Sequence, residues 1–586
     1  MNPESTAARF EFLASLVEIC AQHGLEQVII SPGSRSAPLT VAFARHPGLT
    51  CRVVLDERSA GFIALGLAQQ TRRPVGLVCT SGTAALNYGP AVSEAFYQQI
   101  PLLVFTADRP PEWIDQQDGQ TIRQQHLYVP HIRGSFETPV DLSHPDARRQ
   151  AERLISEAIQ ATTWPSPGPV HLNVPLREPL YSDGPVTLPK SPTIIRHFKP
   201  EPTLAEDSWI YLRDTWQRAK RKLVIAGLQP PHPGLATTLS ALQSDPSVAV
   251  IADIAANLHD QGTGLRHSDM ILGSKSTETL EALKPDLVVS FGGPVISKYL
   301  KLFLRRHQPA GQWLLQPDGQ AIDTYQSLTE VISVYPNYFF KNLVEHRPEF
   351  SNGAPPAPPG SYQHTWLKLE EQAQELLATF FETQPFGEFA AVRQVLRALP
   401  PDSNLHLGNS MPIRYASFIG LGWGDGPPGL TVNANRGTSG IDGSLSTTVG
   451  AALANHQITT LISGDLAFFY DRNALWHQHV PPNLRVVILN NGGGGIFKLI
   501  DGPNKLPPAE LKQFFFTPQP LTAKNTAADH NCAYYHCRDA ETLAQLLPGF
   551  FKPHSQPAIL EIETDSDLNG KVFGQFKARV AGLAAR

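Results

Sequence analysis

Short apolar runs alternate with longer mixed segments along the first 110 residues. Gln27–Ile30, Cys51–Leu55, Pro74–Cys79 and Pro101–Thr106 have strand length and too few polar residues to leave one face in water. The segments between them read as helices, one from Pro38 and an apolar one over Ala60–Ala68. Buried strands alternating with helices predict a parallel sheet covered on both faces. The pattern returns at Lys222–Ala226, Val248–Ala252 and Asp286–Ser290, and again near Leu405, Leu430, Thr460, Val486 and Ile559. Helices are expected over Trp366–Phe381 and Glu388–Leu399. The expected fold class is therefore α/β, as three stacked α/β domains with mainly parallel sheets. The domains are placed at 1–195, 196–350 and 364–586, with a Pro-rich linker at 351–363. The first and third are candidate copies of one fold.

A chain of 586 residues suits three domains of ordinary size. Apolar content of 41% with 17% charged residues is that of a globular protein. A net charge of −5, with no long Lys/Arg run, makes no case for nucleic acid. No uninterrupted apolar run reaches membrane-spanning length; Gln457–Phe469 comes nearest and is broken by Asp465. The start, Met1 to Ser5, lacks the basic-then-apolar layout of a secretion signal. The five cysteines have no paired spacing and read as free thiols of a reducing compartment, so a cytoplasmic location is expected.

Candidate chemistry gathers where strands end. Gly464-Asp465-Leu466 and Asn490-Asn491, with 24 residues between Asp465 and Asn490, each close a predicted strand, the position where open α/β sheets place ligands. The helix after Gly464-Asp465 is expected near Asn473. The side chains of Asp465 and Asn491 and the carbonyl of Gly493 are hard oxygen donors suited to Mg²⁺. The run Gly492–Gly495 lets backbone approach a ligand closely. Read alone, these pairs serve equally well as common turns. A dinucleotide fold is poorly supported, since neither this run nor Gly420–Gly424 has the G-x-G-x-x-G spacing, and a Walker A sequence is absent. Glu57 follows a predicted strand and leads into a helix, where a carboxylate is ordinarily a capping or dipole contact. Arg35, Arg109, Lys298, Arg414 and Arg436 each lie in or beside Gly/Ser/Pro-rich loops. Several such cations suggest an acidic substrate with more than one carboxylate.

The Asp465…Asn491 spacing resembles the diphosphate-binding motif of thiamin diphosphate enzymes. Further segments are Pro32–Ser36, Asp56–Ala60, Thr80–Thr83, Ala107–Pro110, Gly408–Ser410, Asn435–Gly443 and Asn490–Phe497. With them, the whole chain resembles the 2-succinyl-5-enolpyruvyl-6-hydroxy-3-cyclohexene-1-carboxylate synthases. The resemblance implies a thiamin diphosphate-binding fold, with a pyrimidine-binding first domain and a diphosphate- and metal-binding third domain. It implies thiamin diphosphate and Mg²⁺ as cofactors, Mn²⁺ being the alternative metal. Glu57 would be the catalytic acid on the aminopyrimidine. Gly464, Asp465, Leu466, Asn490 and Asn491 would contact the cofactor, and Ile441 would be the apolar wedge that holds it bent. Asp465, Asn491 and Gly493 would be the metal ligands. Ser34, Arg35, Arg109, Gln120, Lys298, Ser410, Arg414 and Arg436 would contact substrate, with Ile496, Phe497 and Ile500 walling the pocket. Two positions depart from the pattern: Gly119 stands where some relatives have asparagine, and Leu466 replaces the third glycine of the general motif.

The implied reaction decarboxylates 2-oxoglutarate and adds the succinyl carbanion equivalent to isochorismate, on the way to menaquinone or phylloquinone. Absence of any His-His pair, a common proton source in decarboxylases, leans toward carboligation. The resemblance also implies a homodimer or a dimer of dimers, with the cofactor between subunits. Competing readings are an acetohydroxyacid synthase-like ligase using pyruvate and a non-catalytic thiamin diphosphate-binding regulator.

Overall fold

Every strand ladder is parallel in the computed structural model, which describes residues 3–181, 192–259, 263–346, 357–422, 426–500 and 502–584. Among these residues seventeen strands form three sheets. The first holds β1 (Gln27–Ile30), β2 (Thr50–Val53), β3 (Val75–Cys79), β4 (Leu102–Asp108), β5 (Gly134–Glu137) and β6 (Pro169–Pro175). The second holds β7 (Lys222–Ala226), β8 (Val248–Ala252), β9 (Leu287–Phe291), β10 (Gly311–Leu315) and β11 (Glu330–Ile332). The third holds β12 (Asn404–Leu407), β13 (Thr431–Asn433), β14 (Thr459–Gly464), β15 (Leu484–Asn490), β16 (Ala533–Cys537) and β17 (Ala558–Glu563).

The first sheet runs β2-β1-β3-β4-β6-β5 and the third β13-β12-β14-β15-β17-β16. These are the same permutation, so the first and third units share one topology. Strands legible as apolar runs are the fully buried ones, such as β3, β4, β7, β8 and β15. β5 and β16 are half-exposed edge strands without such a run. β6 is buried but carries His171 and Asn173; Thr106 Oγ1 bonds His171 Nε2 and Asn173 Oδ1, and Asn173 Nδ2 donates to Asp108 and Glu137, while His171 Nδ1 has no partner. β4 extends to Asp108, beyond the expected Thr106, because its pairing with β6 continues to Asp108 and Pro175.

The helix Glu57–Thr71 is buried from Ser59 to Ala68 and packs on the helix Ser444–Ala454. One apolar core joins the first and third units there. A second core joins the middle and third units, bolted by the helix Tyr362–Thr383. Tyr362 OH donates to the Leu283 carbonyl at 3.0 Å, and Gln363 Nε2 to that of Gln243 at 2.6 Å. Glu370 accepts from the backbone of Arg266 and His267, each at 3.1 Å, and lies 2.7 Å from His267 Nδ1. Positions 351–356 of the expected linker lie outside the described residues. Its last two positions form the first turn of this helix, capped by Ser361. Cys20, Cys51, Cys79, Cys532 and Cys537 are free thiols. Among the described residues no helix is long and apolar enough to cross a membrane.

Candidate active site

β14 and β15 are paired so that Gly464 lies opposite Leu489. Asp465 and Asn490 therefore leave the sheet at nearly the same level. Asp465 opens the helix Asp465–Tyr470 directly; the helix expected near Asn473 is only a 3-10 turn, Arg472–Leu475. The buried Asp465 carboxylate accepts from Leu466 N at 2.7 Å and Gln519 Nε2 at 2.8 Å. Burial raises its pKa, and these bonds, with the amides of Gly493 and Gly492, pull it back. Asn490 is turned inward: Nδ2 donates to the Leu521 carbonyl at 3.0 Å and to Glu561 Oε1 at 2.6 Å, and Oδ1 accepts from Gly492 N at 3.1 Å. It builds the loop.

Asn491 is different. Its Nδ2 donates to Glu388 Oε1 at 2.6 Å, but its buried Oδ1 has no hydrogen-bond partner. An unpaired buried acceptor costs roughly 1–3 kcal/mol, a cost that a cation would remove. Gly493 has φ +158°, and a Cβ there would lie 2.5 Å from the Phe516 carbonyl oxygen, so only glycine fits. Its own carbonyl accepts from Gly495 N at 3.0 Å and keeps a second lone pair. Among the described residues no group of three or more His, Cys, Asp and Glu is placed to hold a metal. A carboxylate, an amide oxygen and a carbonyl are donors that suit Mg²⁺ with a substrate phosphate, so the residues present fit the cofactor pair.

Ile496 and Phe497 lie on a 3-10 turn, Gly495–Lys498, with Ile500 just beyond. All three are half-buried. Phe497 stands edge-on to Phe515, centroids 5.5 Å apart, within a π-helical turn, Leu511–Phe516, a conformation frequent at functional sites. Lys498 pins this loop to Ser566 Oγ at 2.6 Å and Asp567 Oδ1 at 2.7 Å.

The second cluster lies beyond β12. Ser410 has φ +75°, a strained value for a residue with a Cβ. Asn409 Nδ2 donates to the carbonyls of Asn435 and Gly440, each at 2.6 Å, and its Oδ1 accepts from Arg436 at 3.0 Å. From the first unit, buried Glu94 accepts from Gly437 N at 2.8 Å, Thr438 N at 2.6 Å and Thr438 Oγ1 at 2.5 Å. The loop is thus rigid, yet Ile441 on it is 42% exposed. Arg436 feels Asp253 and Glu94, and Arg414 feels Asp269; the two guanidiniums are close enough that Arg436 lowers the pKa of Arg414, after burial. Lys301 joins them: burial, then Arg436, lowers its pKa, opposed by Asp253. Arg436 Nε is buried without an acceptor. Lys298 is exposed one turn earlier on the helix Lys298–Arg306.

The first unit contributes a third cluster. Arg35 is buried, donating to the Leu176 carbonyl at 2.9 Å and to Glu178 Oε1 at 3.3 Å, while Ser34 is exposed. Arg109 donates to the Gly119 carbonyl and faces Asp118 Oδ2, both at 2.7 Å. Gln120 is exposed at φ +56°, its backbone against Gly82. The helix cap expected of a residue such as Glu57 is made by Asp56, which accepts from Arg58 N at 2.9 Å and Ser59 N at 3.3 Å. Glu57 is therefore spared that work. Among the described residues its carboxylate meets only its own backbone amide, and burial, with a smaller push from Asp56, raises its pKa. This turn docks on the third unit through Asn473 Nδ2 to Asp56 Oδ2 and Arg58 to the Tyr470 carbonyl, both at 2.7 Å.

Within one chain Arg414, Arg436 and Ser410 come together with the helix that begins at Lys298. Ser34, Arg35, Arg109 and Gln120 form a separate set. Sequence reading missed Glu94, Glu388, Gln519, Asp253, Asp269 and Lys301. Glu94 had a signal, a charge on the buried face of the helix Gly89–Gln98. Gln519 had none, lying in irregular chain.

The chain matches two family models: the N-terminal TPP binding domain of thiamine pyrophosphate enzymes over residues 11–127 and the middle domain of thiamine pyrophosphate over 192–407. It is 42% identical to a 2-succinyl-5-enolpyruvyl-6-hydroxy-3-cyclohexene-1-carboxylate synthase of Cytophaga hutchinsonii over 96% of this chain and 98% of that protein. Proteins of the same name from Flavobacterium johnsoniae and Porphyromonas gingivalis are 36% and 37% identical, over 96% and 97% of this chain and 97% and 96% of theirs. The chain therefore belongs to the 2-succinyl-5-enolpyruvyl-6-hydroxy-3-cyclohexene-1-carboxylate synthase family of thiamin diphosphate enzymes.

Proposed function

We propose that this chain is a thiamin diphosphate- and Mg²⁺-dependent carboligase acting on 2-oxoglutarate and isochorismate. It would release CO₂ and form 2-succinyl-5-enolpyruvyl-6-hydroxy-3-cyclohexene-1-carboxylate, a step toward menaquinone or phylloquinone. The observation that carries this reading is the buried, unpartnered amide oxygen of Asn491, next in sequence to the glycine amides that reach Asp465. Bound thiamin diphosphate supplies the electron sink that lets a 2-oxo acid lose CO₂ and react as a nucleophile.

The chain's own residues do the rest. Asp465, Asn491 and the Gly493 carbonyl would hold the metal; Gly464, Leu466 and Asn490 shape the loop around it. Ile441 offers the cofactor an apolar support on a loop fixed from both sides. Glu57 would share a proton with the aminopyrimidine ring nitrogen. Ser34, Arg35, Arg109, Gln120, Lys298, Ser410, Arg414 and Arg436 would bind substrate carboxylates and hydroxyls. Ile496, Phe497 and Ile500 would keep water and protons away from the reacting carbon.

The pyrimidine-binding domain is assigned to 1–195, the central domain to 196–350, the linker to 351–363 and the diphosphate domain to 364–586. A homodimer, or a dimer of such dimers, is the favoured assembly. Its support is the set of exposed apolar side chains near both halves: Val53 and Leu55 before Glu57, and Ile441 and Trp476 in the third unit. Five free thiols favour a cytoplasmic location.

The test mixes purified protein with thiamin diphosphate, Mg²⁺, 2-oxoglutarate and isochorismate, and follows isochorismate loss and CO₂ release as each component is left out. Consumption that needs all four supports the proposal; indifference to 2-oxoglutarate with decarboxylation of pyruvate overturns it. Arg436→Ala is expected to lower kcat/KM for isochorismate or 2-oxoglutarate roughly 10- to 150-fold, the worth of a charge-assisted hydrogen bond. Unchanged kcat and KM for both substrates would remove the carboxylate clamp.

A further inference from the structure

Glu388 is a buried carboxylate that the proposed reaction does not use. It is the first residue of the helix Glu388–Ala398 and is 3% exposed. Its backbone N–H donates to Asn569 Oδ1 at 3.0 Å, and a Cβ on the preceding Gly387 would lie 2.6 Å from that same oxygen. The helix start is therefore held closely in place. The side chain accepts from Asn491 Nδ2 at 2.6 Å through Oε1 and from Tyr415 OH at 3.1 Å through Oε2. Among the described residues it makes no ion pair. The charge that it faces is the buried carboxylate of Asp465.

The contact also orients the Asn491 amide. Asn491 Nδ2 donates to Glu388 Oε1 at 2.6 Å, so the amide oxygen turns away from Glu388. That oxygen is the buried atom with no partner.

We propose that Glu388 is a positioning residue for the metal site: it fixes the Asn491 amide with its oxygen presented to the cation. The inference rests on the reading of Asp465, Asn491 and Gly493 as metal ligands. Outer partners of this kind typically change metal affinity 10- to 100-fold when removed.

The experiment is a Mg²⁺ titration of the full-length protein at fixed thiamin diphosphate, read by intrinsic fluorescence or calorimetry rather than turnover. Urea unfolding of the metal-free protein runs alongside. Glu388→Gln can turn its own NH₂ toward Asn491 and so no longer fixes that amide; it is expected to raise the Mg²⁺ half-saturation roughly 10- to 100-fold while leaving the metal-free unfolding midpoint unchanged or higher. A purely structural carboxylate would give the reverse pattern, a lower midpoint with unchanged Mg²⁺ binding, and that result overturns the proposal. Asn491→Asp sets two carboxylates against each other and is expected to bind Mg²⁺ poorly; adding Glu388→Gln should restore part of the binding, and failure to do so counts against the proposal. Asp465→Asn tests the underlying reading separately. Unchanged Mg²⁺ binding there removes the metal site itself, and the role of Glu388 with it.

Discussion

Glu57→Gln is expected to lower turnover by about two to four orders of magnitude, the usual worth of a positioned proton-transfer group, with thiamin diphosphate and Mg²⁺ binding nearly unchanged. The reason lies in how the helix Glu57–Thr71 starts. Asp56 takes the amides of Arg58 and Ser59 and the Glu57 carboxylate meets only its own, so loss of the Glu57 charge leaves the cap in place. Burial raises the Glu57 pKa above the ordinary carboxylate value. A carboxyl group can share a proton with a ring nitrogen; an amide of the same shape can donate a hydrogen bond but cannot pass the proton. The measurements are single-turnover decarboxylation of 2-oxoglutarate and cofactor binding by fluorescence. Near-normal turnover would take Glu57 out of the proposed role. Loss of cofactor binding equal to the loss of rate would make it a binding residue instead.

Gly450→Ala is expected to destabilise the fold by about 3 kcal/mol, the upper end for overpacked cores, and to reduce activity through the same displacement. The helices Glu57–Thr71 and Ser444–Ala454 approach until a Cβ on Gly450 would lie 2.0 Å from the Ile63 carbonyl oxygen. Reciprocally, a Cβ on Gly66 would lie 1.9 Å from the Thr447 carbonyl oxygen. Both obstacles are backbone, so no rotamer change relieves them and the helices must part. Their parting would move Glu57 at the start of one helix and the Asn435–Gly443 loop that leads into the other. Gly574 offers the control: it lies in the helix Ser566–Val580 with nothing within 4 Å of a built Cβ. Gly574→Ala should therefore stabilise by up to about 1 kcal/mol through helix propensity. Urea midpoints of the two variants should move in opposite directions; an unmoved midpoint for Gly450→Ala would refute the close-contact account.

Much of the fold was legible because its strongest strands are local apolar runs. Lys222–Ala226 and Val248–Ala252 are read from sequence with the bounds that the structure has. Strands that pair at an edge or bury polar groups, such as β16 and β6, were not legible, since they lack a local apolar run and their polar residues bond to partners from elsewhere. The site follows the same rule. Asp465 and Asn491 stand out because a strand's end is a local event and parallel register then brings two such ends level.

What the sequence by itself determined, then, is the α/β class, the three-unit order and the loops where chemistry gathers, each following from short-range periodicity and turn residues. Tertiary structure alone decided how those side chains divide their work. It made Asp56 the cap and left the Glu57 carboxylate with its own amide alone. It turned Asn490 inward and left an oxygen of Asn491 unpaired beside a carboxylate 103 residues away. It also tied Glu94 to Gly437 across 343 residues. A hydrogen bond between distant elements depends on how whole helices and sheets pack, and that packing is set by the summed burial of many apolar side chains rather than by the few residues that meet.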